Sequence, residues 1–320
     1  MRPLKLVPEN TNIDFLAARK VAAAISLLLI IGSIVLVGVR GLNFGIDFAG
    51  GQMVRVTFAQ PVSLNELRNK VDGLGYGDAT IQEFAGTNTV SIRQPVPEGG
   101  DAAASKAGAA LRNLIDTNYP GAKVGSAETV SGKVSNELFQ KGALALGLAM
   151  LAISVYIWLR FEWQFGIGAL VSLAHDVILT LGFFALTQLE FNLNIIAAIL
   201  TIIGYSLNDT IVVYDRVREN LRKYRKMDIV PLLNLSANET LSRTIVTSLT
   251  LVIALATLVL LGPEVIFGFS AAMLLGIVIG TYSSIYIANP ILIWAKVGSH
   301  SFVPRDAAPS GAERVSKEQR

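Results

Sequence analysis

The sequence contains no cysteine and only two histidines, His175 and His300. Their scarcity excludes disulfides, thiol redox chemistry, thiolate zinc sites and cysteine nucleophiles, and leaves little scope for imidazole-bound metal. Neither a metal nor a cofactor is expected. Charge is also scarce: 16% of the residues are charged and 52% are hydrophobic, giving a mean hydropathy of +0.52. A soluble domain needs about 25% charged residues to cover its surface, so the chain reads as a membrane protein. No GxxxxGK[ST] or GxSxG motif occurs, which leaves ATP hydrolysis and serine-hydrolase chemistry without support. The chain is not expected to be an enzyme. The net charge of +3 comes from basic residues set mostly beside apolar runs, a pattern of membrane orientation rather than of nucleic-acid binding. The expected surroundings are a lipid bilayer, with no nucleic acid.

What is present is long apolar text interrupted once. The first run, Val21 to Val39, lies between Arg19-Lys20 and Arg40 and suits one crossing of the roughly 30 Å hydrocarbon core. Without a convincing small-residue cleavage site, it reads as a retained anchor. Five more runs follow, at about Gly142 to Leu159, Phe165 to Leu186, Ile195 to Tyr214, Ile245 to Leu261 and Val265 to Leu292, each able to span as a helix.

Between the first and second runs the text is that of a soluble domain. "GQMVRVTF" from Gly51 reads as a strand, and "ATIQEF" and "NTVSIRQ", joined through Ala85-Gly86-Thr87, read as a hairpin. Ser63 with Glu66 fits a capping box, and Val62 with Leu67 a hydrophobic staple, opening a helix with Leu64, Leu67, Val71 and Leu74 at helical spacing. A second helix from near Asp101 stops at "NYPG", and "AKVGSAETV" closes the module as a strand. The order βαββαβ predicts a ferredoxin-like α+β sandwich inserted between helices 1 and 2 of a six-helix membrane protein.

Lys and Arg assign the sides. Arg2, Lys5, Arg19 and Lys20 precede span one, Arg160 separates spans two and three, and Arg216, Arg218, Arg222, Lys223, Arg225 and Lys226 separate spans four and five, whereas "TQLEFNLN" and "GPEV" have none. The positive-inside rule then puts both termini in the cytoplasm and the inserted module outside. The expected layout is a cytoplasmic N-terminus at 1–20, helix 1 at 21–39, the outer module at 40–135, helices 2–6 at 136–295 with a cytoplasmic loop at about 216–240, and a disordered cytoplasmic tail at 296–320.

Ionisable residues inside these spans stand out, because a charge at the bilayer centre costs about 2.5–3.5 kcal/mol on insertion scales and marks a functional candidate. In "TIIGYSLNDTIVVYDRVREN", Thr201, Gly204, Tyr205, Asn208, Val212, Asp215 and Arg216 share one helical stripe that should face protein. Asp209 sits roughly 9 Å inside Asp215 at about 1.5 Å per residue, within reach of water from the cytoplasm. In "SLAHDVILT" the deeper Asp176 has Ser172 and Thr180 one turn to either side and His175 beside it. Such carboxylates can exchange a proton as their surroundings change. They can also serve only as hydrogen-bonding links between helices, and Asp215 and Arg216 read as interfacial charges that orient the span. Span five opens with Arg243, Thr244, Thr247, Ser248 and Thr250, and Arg243 is a potential ion-pair partner for Asp209. Ala272, Gly276, Gly280 and Ser284 in span six form a small-residue line read as helix packing. "FGIDFAGG", with Gly45, Asp47, Gly50 and Gly51, reads as a turn or hinge after span one.

Taken together, "FGIDFAGG", "AHDVILTLGFF", "GYSLNDTIVVYDRVREN" and "SRTIVTSLT" closely resemble the SecD/SecF family of protein-export membrane proteins, of the resistance-nodulation-division type, over about Val21 to Leu292. The resemblance implies a bacterial inner-membrane protein working with SecD, a homologous six-span partner, beside the SecYEG channel, with YajC and YidC as associated proteins. It implies that the pair uses the proton-motive force to help complete preprotein export after the SecA ATPase has acted. It also implies roles in proton transfer for the carboxylate of the N-D-T motif, Asp209, and for the arginine opening the next span, Arg243. Asp176 is a further candidate for proton coupling, with Asn208, His175, Tyr205 and Thr247 as a supporting polar network. One six-span unit is half of the usual pseudosymmetric transporter, so a partner half is expected. Two alternatives share these features: a proton-coupled exporter half for lipids or small molecules, and a non-transporting scaffold of the channel.

Overall fold

A computed structural model describes residues 8, 11–83, 88–95 and 100–298. The hairpin loop at Ala85–Thr87, the basic residues Arg2 and Lys5, and the tail beyond 298 lie outside the described residues.

Among the described residues, six helices are long and apolar enough to cross a membrane. Helix α1 is Arg19–Arg40, and a helical turn α2 (Ile46–Ala49) leads into the inserted module. Its elements are β1 (Gly51–Thr57), α3 (Leu64–Asp72), β2 (Thr80–Glu83), β3 (Thr89–Gln94), α4 (Gly100–Asn118) and β4 (Lys123–Val130). Helices α5 (Gly132–Arg160), α6 (Trp163–Thr187), α7 (Leu193–Lys223), α8 (Ile229–Leu261) and α9 (Phe267–Ser283) follow, and α9 continues through a π-helical turn, Ser284–Ala288, into α10 (Asn289–Trp294). Exposed Leu27, Leu28, Ile34, Leu151, Trp158 and Leu159 give α1 and α5 apolar outer faces, as a multi-pass membrane protein requires of helices against lipid.

The module's four strands form one antiparallel sheet in the order β2-β3-β1-β4. Val54, Val56, Val90 and Ile92 on its inner face pack with Leu67 and Val71 of α3 and Leu111 and Ile115 of α4 into a core separate from that of the membrane helices. The capping box does not form. Ser63 is the N-cap of α3 but makes no side-chain cap bond, and Glu66 turns to Lys70 one turn on, at 2.8 Å, an i,i+4 pair of the orientation helices favour.

Helices α7 and α8 run well beyond their apolar stretches, so the connection expected at about 216–240 is almost wholly helical. An amphipathic stretch explains this: Leu232, Leu233, Ser236, Ala237 and Thr240 of α8 are buried. The N-terminal segment seals the same region. Ile13 N–H donates to Asn238 Oδ1 at 2.9 Å, Leu16 N–H to Asn234 Oδ1 at 3.0 Å, and Asn234 Nδ2 to Asp14 at 2.6 Å.

The glycine-rich segment after α1 is clamped rather than loose. Gly45 N–H donates to the Phe191 carbonyl at 2.9 Å, Phe191 N–H to the Asn43 carbonyl at 2.7 Å, and Asp47 Oδ2 caps the start of α7 at Leu193 N–H, 2.9 Å away. Phe44, Phe48, Phe139 and Phe191 pack edge to face and tilted around it, a geometry favoured by the ring quadrupole. Gly51 (φ 121°) takes a backbone conformation open to glycine, and a Cβ there would meet the Gln94 carbonyl. The module docks on the same connections through Gln82, which bonds Asn43 and the Gln188 carbonyl, and through Arg93, which donates to the Phe44 carbonyl. Glu190 lies against Gly45, where a side chain would strike it. Burial pushes its carboxyl above the ordinary value, and Arg55 and Arg93 pull it partly back.

Candidate functional site

Helix α7 turns another face than the polar stripe to this chain's own helices. Thr201, Gly204 and Asn208, predicted to face protein, are exposed on this chain, while Ile202, Ile203, Ser206, Asp209, Thr210, Val213 and Tyr214 point inward. The inward face wins because α9 offers it glycines. A Cβ at Gly276 would run into Ile202, and one at Gly280 would press on Ser206, so the two helices approach as small-residue lines allow. Buried in that approach are two carboxylates.

Asp209, 6% exposed, accepts from Thr244 Oγ1 of α8 and from Ser284 Oγ of the π-helical turn, both at 2.6 Å. The expected Arg243 ion pair is absent: among the described residues no ion pair joins Arg243 to Asp209. Arg243 is exposed and lines, with Val212, Asp215, Arg216, Glu219, Glu239 and Thr240, an open cavity of about 430 Å³ beside the site. The reason is helical geometry. Successive residues point about 100° apart, so with Thr244 turned inward to Asp209, Arg243 turns out to the cavity.

Asp176, fully buried, accepts from Ser206 Oγ at 2.5 Å and Ser283 Oγ at 2.8 Å, and lies 2.9 Å from His175 Nδ1. The expected pairing with His175 is present. The expected flank of Ser172 and Thr180 is not a carboxylate shell: Thr180 Oγ1 donates to the Asp176 backbone carbonyl at 2.8 Å, and Ser172 Oγ is buried without a partner among the described residues. His175 stacks on Tyr282 with ring centroids 6.1 Å apart, and Tyr282 OH reaches the Ala22 carbonyl at 3.0 Å and Ser26 Oγ at 2.9 Å on α1.

The remaining members of the expected network lie apart from both acids. Tyr205 OH bonds Ser248 Oγ at 2.7 Å, which bonds Thr281 Oγ1 at 2.8 Å, linking α7, α8 and α9. Thr247 turns back onto its own helix, to the Arg243 and Thr244 carbonyls, each at 3.0 Å. Asp215 forms a two-pronged pair with Arg160, both bonds at 3.0 Å, which ties α5 to α7. Sequence reading missed Ser206, Ser283 and Ser284. Ser284 entered only as the last of a small-residue line, and its neighbour "NP" was the available signal. Pro290 has no N–H to give the carbonyl one turn earlier, and the π-helical turn Ser284–Ala288 forms just before it. Single π-helical turns of this kind gather at functional sites.

The architecture and the paired intramembrane carboxylates define a polytopic helical membrane protein with a small inserted α/β module. Residues 110–298 match the family described as "Protein export membrane protein SecD/SecF, C-terminal", and residues 35–62, around the glycine-rich segment, match the "SecD/SecF GG Motif". The chain is 44% identical over 291 residues to the "Protein translocase subunit SecF" of Rickettsia conorii, covering 91% of this chain and 94% of that one. The protein of the same name from Desulfurispirillum indicum is also 44% identical, over 88% of this chain and 91% of its own. The crystal structure of SecDF, a translocon-associated membrane protein from Thermus thermophilus, superposes with a TM-score of 0.83 at 33% identity, and covers 92% of this chain. A SecDF structure in a super-membrane-facing form superposes with a TM-score of 0.64. This chain spans 40% of the length of either SecDF chain. The chain belongs to the SecD/SecF family of protein-export membrane proteins, and its full-length relatives place it on the SecF side.

Proposed function

We propose that the protein is the SecF-type subunit of a bacterial protein translocase, that it works with a SecD half in the inner membrane, and that the pair draws on the proton-motive force through Asp209 to assist preprotein movement at a SecYEG-type channel. The observation that carries the proton reading is the setting of Asp209. It is a carboxylate buried among membrane helices, held by the Thr244 and Ser284 hydroxyls rather than by a fixed cation, beside an open cavity lined by Arg243. Hydroxyls can donate to the ionised form and accept from the neutral form, so this shell accommodates both charge states, which a permanent ion pair would resist. Arg243 then acts from the cavity as a permanent cation that favours the ionised carboxylate without bonding it.

The partner half is supported by the face of α7 that this chain leaves open. Thr201, Gly204 and Asn208 are exposed there, and Thr247 and Thr250 of α8 are exposed as well; the threonine hydroxyls bond carbonyls of their own helices, so the Asn208 amide is the group ill suited to lipid, and the small residues around it suit a second helical half. Asn208 therefore belongs to that interface. The Lys and Arg distribution supports cytoplasmic termini and a periplasmic module, and the strand order β2-β3-β1-β4 with two helices on one face supports the ferredoxin-like description.

The test is preprotein translocation into inverted membrane vesicles carrying the SecD partner, with and without a proton gradient, for wild type and Asp209→Asn at matched membrane levels. Loss of only the gradient-dependent part of export supports the reading. Unchanged gradient-dependent export would overturn it and leave the scaffold role.

A further inference from the structure

The two buried acids end on adjacent residues of one helix. Ser284 Oγ donates to Asp209 Oδ2 on α7, and Ser283 Oγ to Asp176 Oδ2 on α6. Both serines are fully buried, and they straddle the point where α9 gives way to the π-helical turn. Each hydroxyl has one proton and two acceptors. For Ser284 these are Asp209 at 2.6 Å and its own helix's Thr281 carbonyl at 3.0 Å. For Ser283 they are Asp176 at 2.8 Å and the Gly280 carbonyl at 3.2 Å.

The charge of the carboxylate decides between the two acceptors. An ionised carboxylate makes the shorter and stronger bond, so the serine proton points to it. When the added proton sits on Oδ2, the neutral carboxyl donates, so the serine oxygen accepts and the serine proton turns to the helix carbonyl. The balance is simple: the carboxylate gains one O–H bond from an external proton, and the serine keeps its own. Serine bonds to carbonyls of the preceding turn bend helices, and these carbonyls belong to the last turn before the π-helical segment, where the backbone ladder already changes register. Small rearrangements at packed junctions switch between discrete arrangements rather than deforming smoothly.

We infer that Ser283 and Ser284 couple the two carboxylates into one unit, so that the charge on Asp209 sets the α-to-π junction and thereby the hold of Ser283 on Asp176. The inference rests on the reading of Asp209 as a proton-exchanging group, and it makes both serines positioning residues for that exchange. Asp176 is then no bystander, since coupling between two sites is reciprocal. Among the described residues, the other titratable or charged groups around the pair are His175 on α6, Tyr205, Tyr214, Asp215, Arg216 and Glu219 on α7, Glu239 and Arg243 on α8 and Tyr282 on α9.

The experiment follows the carboxyl infrared band of Asp209, identified as the band lost in Asp209→Asn, across pH in the purified complex with the SecD partner. The same variants are scored for gradient-driven export. Asp176→Asn is expected to move the Asp209 midpoint by about one pH unit, the size of interaction that makes a titration a property of the pair. Ser283→Ala and Ser284→Ala are each expected to abolish that response, while Ser283→Thr and Ser284→Thr, which keep the hydroxyl, retain it. Cysteine at either position, a weak donor of similar size, gives a second way to remove the link should an alanine variant fail to assemble. A midpoint that stays put in Asp176→Asn, or moves equally with and without the serine hydroxyls, overturns the coupling while leaving Asp209 in its role. Gradient-driven export that survives Asp209→Asn overturns the underlying reading instead.

Discussion

Replacing Thr244 with valine decides which partner holds Asp209. The substitution keeps the side-chain shape and removes the hydroxyl that donates to Asp209 Oδ1 at 2.6 Å, at a position only 3% exposed. A hydrogen bond to a charged group is worth about 1.5–3 kcal/mol, and the added methyl recovers part of that through burial, about 0.8 kcal/mol. The expected net loss is about 1–2 kcal/mol, or about 3–6 °C in melting temperature at roughly 3 °C per kcal/mol. The matched variant is Arg243→Ala, which removes an exposed side chain without an ion pair to Asp209 and is expected to melt within about 1.5 °C of wild type, since surface changes stay within about 0.5 kcal/mol. Both are measured by thermal unfolding of the purified complex in detergent, with gradient-driven export scored alongside. Arg243→Ala is expected to lose gradient-driven export despite its normal melting. A Thr244→Val protein as stable as wild type beside a destabilised Arg243→Ala would refute the reasoning, because the arginine would then be the bonded partner.

Two further outcomes test the packing and the docking of the module. Gly276→Ala sets a Cβ against Ile202, a β-branched side chain with little rotamer freedom in a helix. Overpacking of about 2–3 kcal/mol, less about 1 kcal/mol of helix propensity gained over glycine, lowers stability by about 1–2 kcal/mol. Ile202→Ala should cost less in the Gly276→Ala chain than in wild type, whereas Gly204→Ala, which meets nothing within 4 Å in this chain, should not destabilise it, and melting of the five proteins without the SecD partner checks this. Glu190, whose carboxyl burial holds above its ordinary value, contributes stability that is fully present below the unfolded carboxylate pKa and fades as pH rises through the higher folded value. Glu190→Gln should therefore flatten the fall in melting temperature as pH rises above the ordinary carboxylate pKa, and an unchanged slope would show that the docking contacts do not titrate.

Much of this protein was legible from one sequence because the relevant physics is local. A backbone inside hydrocarbon must satisfy itself within a helix, so long apolar runs alone specify the spans, and alternation with turn residues specifies the strands of the inserted module. Asp176 and Asp209 stood out for the same reason: a carboxylate in such a run is costly wherever it points. Which face of α7 turns inward was a tertiary decision. Sequence periodicity made Thr201, Gly204 and Asn208 a protein-facing stripe without saying which protein it faces; within this chain Gly276 and Gly280 let α9 close on Ile202 and Ser206, which sets Asp209 against Thr244 and leaves Arg243 in the cavity. The π-helical turn was equally beyond local reading, because its consequence, adjacent serines serving acids on two different helices, depends on where α6 and α7 stand. Sequence by itself determined which residues must be sheltered; the packing of α6, α7, α8 and α9 determined what shelters them, since a hydrogen bond needs a partner within about 3 Å and only the assembled helices supply that distance.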